Sequence, residues 1–287
     1  MRPHQWAKNV LVFVPMALGQ NVDAGRAWCG VMAFGSFCAC ASAVYIMNDL
    51  ADASSDRHHP RKRQRPIAKG DLSRQAAIVT IAALLTTAFA LASNAAPDCI
   101  TLLVAYIALN IAYTGLLRAQ PLVDVISLSA MYGLRLAMGA AATTTPLSHW
   151  FLAFAMFFFT SLAFVKRYVE LRHVEAVGAT DRGCRGYVGG DADMIAMLGV
   201  ASGYVSVLVL ALYMNSEQMH LLYGEGWALW GLCPLMLYWI SRVWLLARRG
   251  EFDDDPVQFA LTDRVSLVVG VTAILLVAVA AWQGPGG

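Results

Sequence analysis

Nine apolar stretches separated by polar loops leave this chain little choice of fold. They fall at roughly 10–20, 28–50, 76–93, 99–117, 123–142, 150–168, 195–214, 227–246 and 265–282. A membrane-crossing helix takes about 20 largely apolar residues. Inside a bilayer every backbone N–H and C=O must be satisfied within the span, so runs of that length become helices. Composition agrees: 58% of residues are hydrophobic and only 14% charged, where a soluble domain has about 25% charged. Mean hydropathy is +0.56. The pattern predicts an all-α polytopic membrane protein, one domain over 1–287 with nine transmembrane helices. The first stretch is the shortest and is entered from Trp6. Ala-Leu-Gly is a poor cleavage site, so residues 1–20 read as a retained membrane helix, not a leader.

The charges alternate with the spans. Arg2 and Lys8 precede the first; Arg57 to Arg74 lie between the second and third, and Arg118 between the fourth and fifth. Lys166 to Arg185 close and follow the sixth, and Arg242 to Arg264 run from the end of the eighth to the start of the ninth. The opposite loops at 94–98, 143–149 and 215–226 hold no Lys or Arg, leaving Arg26 alone on that side. Positive residues mark the cytoplasmic side, which places the N-terminus and the basic loops in the cytosol. The net charge of +2 says little beside where the charges sit, and no nucleic-acid partner is expected. Cys29, Cys38, Cys40, Cys99 and Cys233 lie in or beside apolar segments, where a thiol behaves as a small hydrophobe. No disulfide and no zinc site are expected.

The richest polar stretch is Asn48 to Gly70, N-D-L-A-D-A-S-S-D-R-H-H-P-R-K-R-Q-R-P-I-A-K-G. Asn48, Asp52 and Asp56 recur every fourth residue, which on a continuing helix stacks them on one face. Three oxygen donors in a row suit Mg²⁺, an ion that keeps waters and substrate phosphates in the rest of its shell. A helix end reaching the headgroups is the plain alternative. It does not explain polar groups directly after more than twenty apolar residues, where they are costly unless a cavity receives them. The basic run Arg57, Arg61, Lys62, Arg63 and Arg65 would fix topology and attract anionic lipid in any case. The prolines after His59 and Arg65 restrain the backbone, which favours a shaped phosphate cradle. The span 48–75 therefore reads as a cytosolic metal- and phosphate-binding loop region.

A second patch on the same side is Y-T-G-L-L-R-A-Q-P-L-V-D, from Tyr113 through Arg118 to Asp124. Asp124 opens a helix, a position that favours a carboxylate without any function. Arg135, three turns deeper in an apolar helix, is costly by about 2.5–3.5 kcal/mol on insertion scales and should face a polar cavity. Lys166-Arg167-Tyr168-Val169-Glu170 ends the sixth stretch, with Arg182, Arg185 and Tyr187 beyond it. Cations there also complement a helix C-terminus, and Lys166 with Glu170 has the spacing of an ion pair. Asp253-Asp254-Asp255 reads as a solvated turn.

N-x-x-x-D-x-x-x-D after the second span resembles the first Asp-rich motif of the UbiA superfamily of intramembrane prenyltransferases. Longer matches are narrower: R-P-x-Q-W-x-K-N at 2–9, the whole of 48–70, K-R-Y-x-E-L at 166–171 and A-L-x-D-R-V at 260–265. Together they resemble the decaprenyl-phosphate phosphoribosyltransferases of that superfamily. Arg118 stands where that pattern has Lys, exchanging a point charge for a planar fork. The Asp-x-x-x-Asp that aromatic prenyltransferases carry is absent from 113–124.

The resemblance implies a nine-helix UbiA-like bundle with a cytosol-facing cavity, in the plasma membrane of a bacterium. It implies Mg²⁺-dependent transfer of 5-phosphoribosyl from phosphoribosyl diphosphate (PRPP) to a polyprenyl phosphate, for arabinan-type envelope glycans. Asn48, Asp52 and Asp56 would hold the metal, and Asp52, Asp56 and Asp124 would be catalytic. Lys8, Lys62, Arg65, Tyr113, Arg118, Arg135, Lys166, Arg167, Glu170, Arg182, Arg185 and Tyr187 would bind substrates. The lipid bilayer and a second copy, as a homo-oligomer, complete the expected partners. Two other functions fit the same residues: a prenyltransferase using a prenyl diphosphate with an aromatic or haem acceptor, and a lipid-phosphate or anion transporter. A transporter would be expected to carry repeat-related broken helices, and this sequence shows none.

Overall fold

The computed structural model describes residues 3–20, 22–57, 62–176, 185–188, 190–223, 226–252 and 256–282. The helices are α1 (Val14–Leu18), α2 (Ala24–Ala51), α3 (Ala53–Asp56), α4 (Pro66–Lys69), α5 (Arg74–Ala95), α6 (Pro97–Gly115) and α7 (Val123–Ala142). They continue with α8 (His149–Ala176), α9 (Asp191–Met214), α10 (Glu217–Tyr223), α11 (Leu232–Arg249), α12 (Pro256–Thr262) and α13 (Arg264–Trp282). Among the described residues eight helices are long and apolar enough to cross a membrane: α2, α5 to α9, α11 with its leading turn, and α13. Of the nine expected spans, the first stretch is the one not among them. It folds as a 3₁₀ helix, Pro3–Phe13, running into the short α1. A Cβ on Gly139 would sit 1.9 Å from the Val12 carbonyl oxygen, so this segment lies directly against α7 backbone.

The chain, expected as one domain, groups into two compact units. The first comprises Met1–Ala17, Asn21–Gly115 and Leu134–Thr145; the second comprises Leu18–Gln20, Leu116–Gly133 and Pro146–Gly287. In the first, α2 starts at Asp23, whose side chain accepts from the Arg26 N–H at 2.8 Å. The α2 and α5 helices then pack closely, with Ser36 Oγ donating to the Ala88 carbonyl at 2.8 Å. Phe37 meets the Tyr106 ring edge-on at 4.9 Å. At the basic end Ile46, Ala53, Ile67 and Ala77 form a small buried cluster that pins α4 against α2 and α5.

The second unit is built on α8, α9 and α11. Small residues let these helices approach, as is general within membranes. A Cβ on Gly199 would fall 2.1 Å from the Trp244 ring, and one on Gly203 2.6 Å from Ile240. Ser161 Oγ donates to the Gly199 carbonyl at 2.7 Å and accepts from Trp244 Nε1 at 3.1 Å, tying all three helices at one point. Asp263 starts α13: it accepts from the Ser266 N–H at 2.8 Å and receives both Arg242 terminal nitrogens at 2.7 and 3.1 Å.

Candidate active site

Helix α2 does not run on through the acidic row as the four-residue spacing predicts. It stops at Ala51, and Asp52 takes φ −87°, ψ 0° before α3 resumes. The hydrogen-bond register nevertheless survives: the Asp52 N–H donates to the Asn48 carbonyl at 2.9 Å, and the Asp56 N–H to the Asp52 carbonyl at 2.8 Å. Asn48, Asp52 and Asp56 therefore still follow one another turn by turn. The break lets α3 turn Ala53 into the buried cluster and bury Asp56.

Arg65 closes this row. Pro66 confines the preceding residue to extended backbone, and Arg65 has φ −62°, ψ 139° at the start of α4. Ile67 and Ala68 are buried and Gly70 ends the turn in the left-handed region at φ 93°, so R-P-I-A-K-G returns the arginine onto the end of α2. Arg65 Nη1 lies 2.7 Å from Asp56 Oδ2 and 3.1 Å from Asp49 Oδ1. Asn48 Oδ1 accepts from Thr114 Oγ1, at the end of α6, at 3.0 Å. The motif at 48–56 and the Tyr113–Thr114 patch thus meet within the first unit.

The donors here are carboxylate and amide oxygens, the hard ligands that Mg²⁺ takes. Among the described residues no group of three or more His, Cys, Asp or Glu converges to hold a metal unaided. The chemistry fits an ion that draws much of its shell from substrate: Asn48, Asp52 and the second oxygen of Asp56 could contribute, while Arg65 holds the other Asp56 oxygen.

Arg135 is buried within the first unit and is held by its neighbours. Its Nε donates to Asn9 Oδ1 at 2.9 Å and its Nη2 to the Tyr106 hydroxyl at 3.3 Å. The guanidinium lies over the Phe37 and Tyr106 rings at 5.5 and 5.2 Å. Side chains of the bundle thus supply the polar surroundings that its cost demanded.

The second unit carries a separate charged cluster. Asp124, in the first turn of α7, is wholly buried and paired with Arg167 Nε from α8; Arg167 Nη1 pairs with Glu170. The Tyr187 hydroxyl donates to Asp124 Oδ1 at 2.7 Å and accepts from the Leu122 N–H at 2.8 Å. Burial pushes the Tyr187 phenol well above its ordinary pKa, with the neighbouring Asp124 carboxylate adding to the shift, so it stays a donor. Arg185 Nε stands 3.9 Å from Glu170. Arg185, at φ 54°, and Gly186, at φ 82°, lay this loop against the 119–122 turn, where a Gly186 Cβ would be 2.4 Å from the Ala119 carbonyl. Glu170 is therefore engaged by Arg167 and faces Arg185, a partnership that its spacing from Lys166 did not indicate.

The remaining expected residues fall as follows. Lys8 and Lys166 are half-buried, Tyr113 is half-buried at the end of α6, and Arg118 is exposed in the 3₁₀ turn Leu117–Ala119. Arg182, the Lys62 side chain and Asp253 to Asp255 lie outside the described residues. Three partners escaped the sequence reading: Asn9, Asp49 and Thr114. Each stands inside a quoted motif, but off the four-residue row or without a charge to draw the eye.

Fold and polar ends together define a polytopic helical membrane protein with an oxygen-donor row at the basic end of its second helix. The chain belongs to the UbiA prenyltransferase family, whose model matches residues 9–268, and is an enzyme of that superfamily. It is 36% identical over 270 residues to nodulation protein NoeC of Azorhizobium caulinodans, covering 93% of this chain and 87% of that one. It is 39% identical over 187 residues to decaprenyl-phosphate phosphoribosyltransferase of Mycobacterium tuberculosis, covering 63% of this chain and 62% of that one. The fold is similar to that of a UbiA homologue from Archaeoglobus fulgidus bound to GPP and Mg²⁺, with TM-score 0.69 and 15% identity over 98% of this chain and 96% of that chain.

Proposed function

We propose that this chain transfers the 5-phosphoribosyl group of PRPP to a polyprenyl phosphate, releasing diphosphate, with Mg²⁺ at the Asn48–Asp56 row. One observation carries the choice of donor. Between Tyr113 and Asp124 the only acid is Asp124, and Arg167 and Tyr187 engage it in a buried cluster, so this stretch offers no second pair of carboxylates for the metals of a prenyl diphosphate. The partial match to a decaprenyl-phosphate phosphoribosyltransferase supports the same donor. The reading places the acceptor in the bilayer, the basic end on the cytosolic side of a bacterial plasma membrane, and the chain in a homo-oligomer.

Asn48, Asp52 and Asp56 would hold the metal on the diphosphate. Mg²⁺ bound there would neutralise the departing diphosphate. Arg65 fixes the Asp56 carboxylate, so one of its oxygens stays aimed while the other remains available. The C1–O bond to diphosphate breaks with its electron pair leaving on diphosphate, and the ribose gains oxocarbenium character. A phosphate oxygen of the acceptor then forms the new bond to C1. That oxygen is already anionic at neutral pH, so no general base is needed. Lys62, Arg118 and Lys166 are assigned to substrate phosphates and Tyr113 to the ribose.

Purified protein given PRPP, Mg²⁺ and polyprenyl phosphate should form a phosphoribosylated lipid, read by mass spectrometry. Asp52→Asn should abolish turnover with the unfolding temperature unchanged. Consumption of a prenyl diphosphate with PRPP ignored would overturn the donor, and full activity in excess EDTA would overturn the metal.

A further inference from the structure

A cleft of about 550 Å³ opens between α8, α9 and α11 in the second unit. That is within the range of about 300–1,000 Å³ typical of ligand pockets. One face of α9 lines it with Asp193, Met197, Val200, Ala201 and Tyr204; α11 faces it with Ser241, Trp244, Leu245 and Arg248. From Asp193 to Tyr204 the helix rises roughly 16 Å, close to half of a hydrocarbon core about 30 Å thick. The far end is closed by Tyr204 and Ser241, hydrogen-bonded at 3.0 Å. Met197 and Tyr204 are exposed, so the cleft is open along its side on spanning helices, where bilayer lipid is the surrounding medium.

The mouth is what selects an occupant. Asp193 stands in the first turn of α9 and Arg248 in the last turn of α11, at the basic end of the unit. Helix dipoles favour those charges in those turns, yet dipoles do not account for both lining one cleft. Among the described residues the two form no ion pair with each other. An acid and a base that form no ion pair at the head of an apolar groove complement a headgroup carrying both a phosphate and an ammonium with N–H groups to give the carboxylate, which a trimethylated ammonium lacks. A purely anionic lipid would satisfy Arg248 and be repelled by Asp193.

We propose that this cleft binds a phosphatidylethanolamine molecule, one acyl chain lying along α9, its ammonium on Asp193 and its phosphate on Arg248. The site is independent of the transferase reading, since no residue of either charged cluster lines it. The test uses the full chain reconstituted in vesicles of equal parts phosphatidylethanolamine, phosphatidylcholine and phosphatidylglycerol. The protein is then re-extracted, and its retained lipid and mass are read by native mass spectrometry. Phosphatidylethanolamine should be retained in preference to the other two. Asp193→Asn should lower its retention roughly tenfold, the loss of one charged hydrogen bond. Arg248→Gln should lower it to a similar degree, and Ala201→Trp, which fills the groove, should abolish it. The two polar variants are exposed and should fold even where Ala201→Trp does not. Equal retention of phosphatidylcholine or of phosphatidylglycerol, or undiminished retention in Asp193→Asn, overturns the proposal. So does an Ala201→Trp protein that dissociates from an oligomer with its lipid unchanged, which would make the occupant a second copy.

Discussion

Replacing Arg167 by alanine should destabilise the second unit by about 3–5 kcal/mol, because it strands a carboxylate that water cannot reach. Asp124 is 0% and Arg167 1% exposed. The guanidinium serves two acids through different nitrogens, Nε toward Asp124 and Nη1 toward Glu170. Glu170 is partly exposed and can turn to solvent, so its lost pairing adds little. Asp124 would retain the Tyr187 hydroxyl, a neutral donor worth about 1 kcal/mol. The penalty therefore sits at Asp124 and should shrink when that charge goes too. Combining Asp124→Asn with Arg167→Ala should recover about 0.5–3 kcal/mol relative to additivity. Arg167→Lys should fall between, since one ammonium does not reproduce a planar fork bonded on two sides. The assay is thermal unfolding of the wild type, both single variants and the double variant in the same lipid–detergent mixture. Total stabilities are of the order of 5–15 kcal/mol, so the shift will be large. Wild-type unfolding of Arg167→Ala, or strict additivity, would refute the clamp. Loss of turnover at unchanged stability would instead make Arg167 a substrate ligand.

Gly186→Ala forces a Cβ to within 2.4 Å of the Ala119 carbonyl at φ 82°, and should lose about 1–3 kcal/mol. Hydrogen exchange should then quicken at 119–124 and 185–188; unaltered protection there would count against the contact. Burial raises the Asp263 carboxyl, but hydrogen bonds from Arg242 and Ser266 outweigh it and hold the group below its ordinary range. A depressed carboxylate stabilises the fold above its unfolded pKa of about 3.9 and loses that contribution as pH falls through the folded value. The unfolding temperatures of wild type and Asp263→Asn should therefore differ at pH 7 and converge below about pH 4; a constant gap would argue against the linkage.

Spans were legible because hydropathy is written locally, residue by residue, and the eight long helices lie close to the apolar stretches that predict them. The first stretch was not, because its conformation is set by a distant neighbour: Gly139 admits the Val12 carbonyl, a contact no local pattern contains. The four-residue backbone register of 48, 52 and 56 was legible for the same reason as the spans. It holds through two i to i−4 bonds even where α2 breaks. Pairing across loops is a different kind of information. Arg65 returns onto Asp49 and Asp56 because Pro66 sets its backbone and Ile67 finds a buried cluster, and only the second of these depends on tertiary structure. Arg167 lies 43 residues from Asp124 and Arg135 lies 126 from Asn9. In both cases the cost of burying a cation announced that a partner must exist, without saying which. A charge in an apolar helix is thus strong evidence for satisfaction and weak evidence for catalysis. Arg135 and Arg167, which drew attention as substrate ligands, each bond side chains of their own unit. Asp52, at the break between α2 and α3, is the residue of the row whose replacement most directly tests the chemistry.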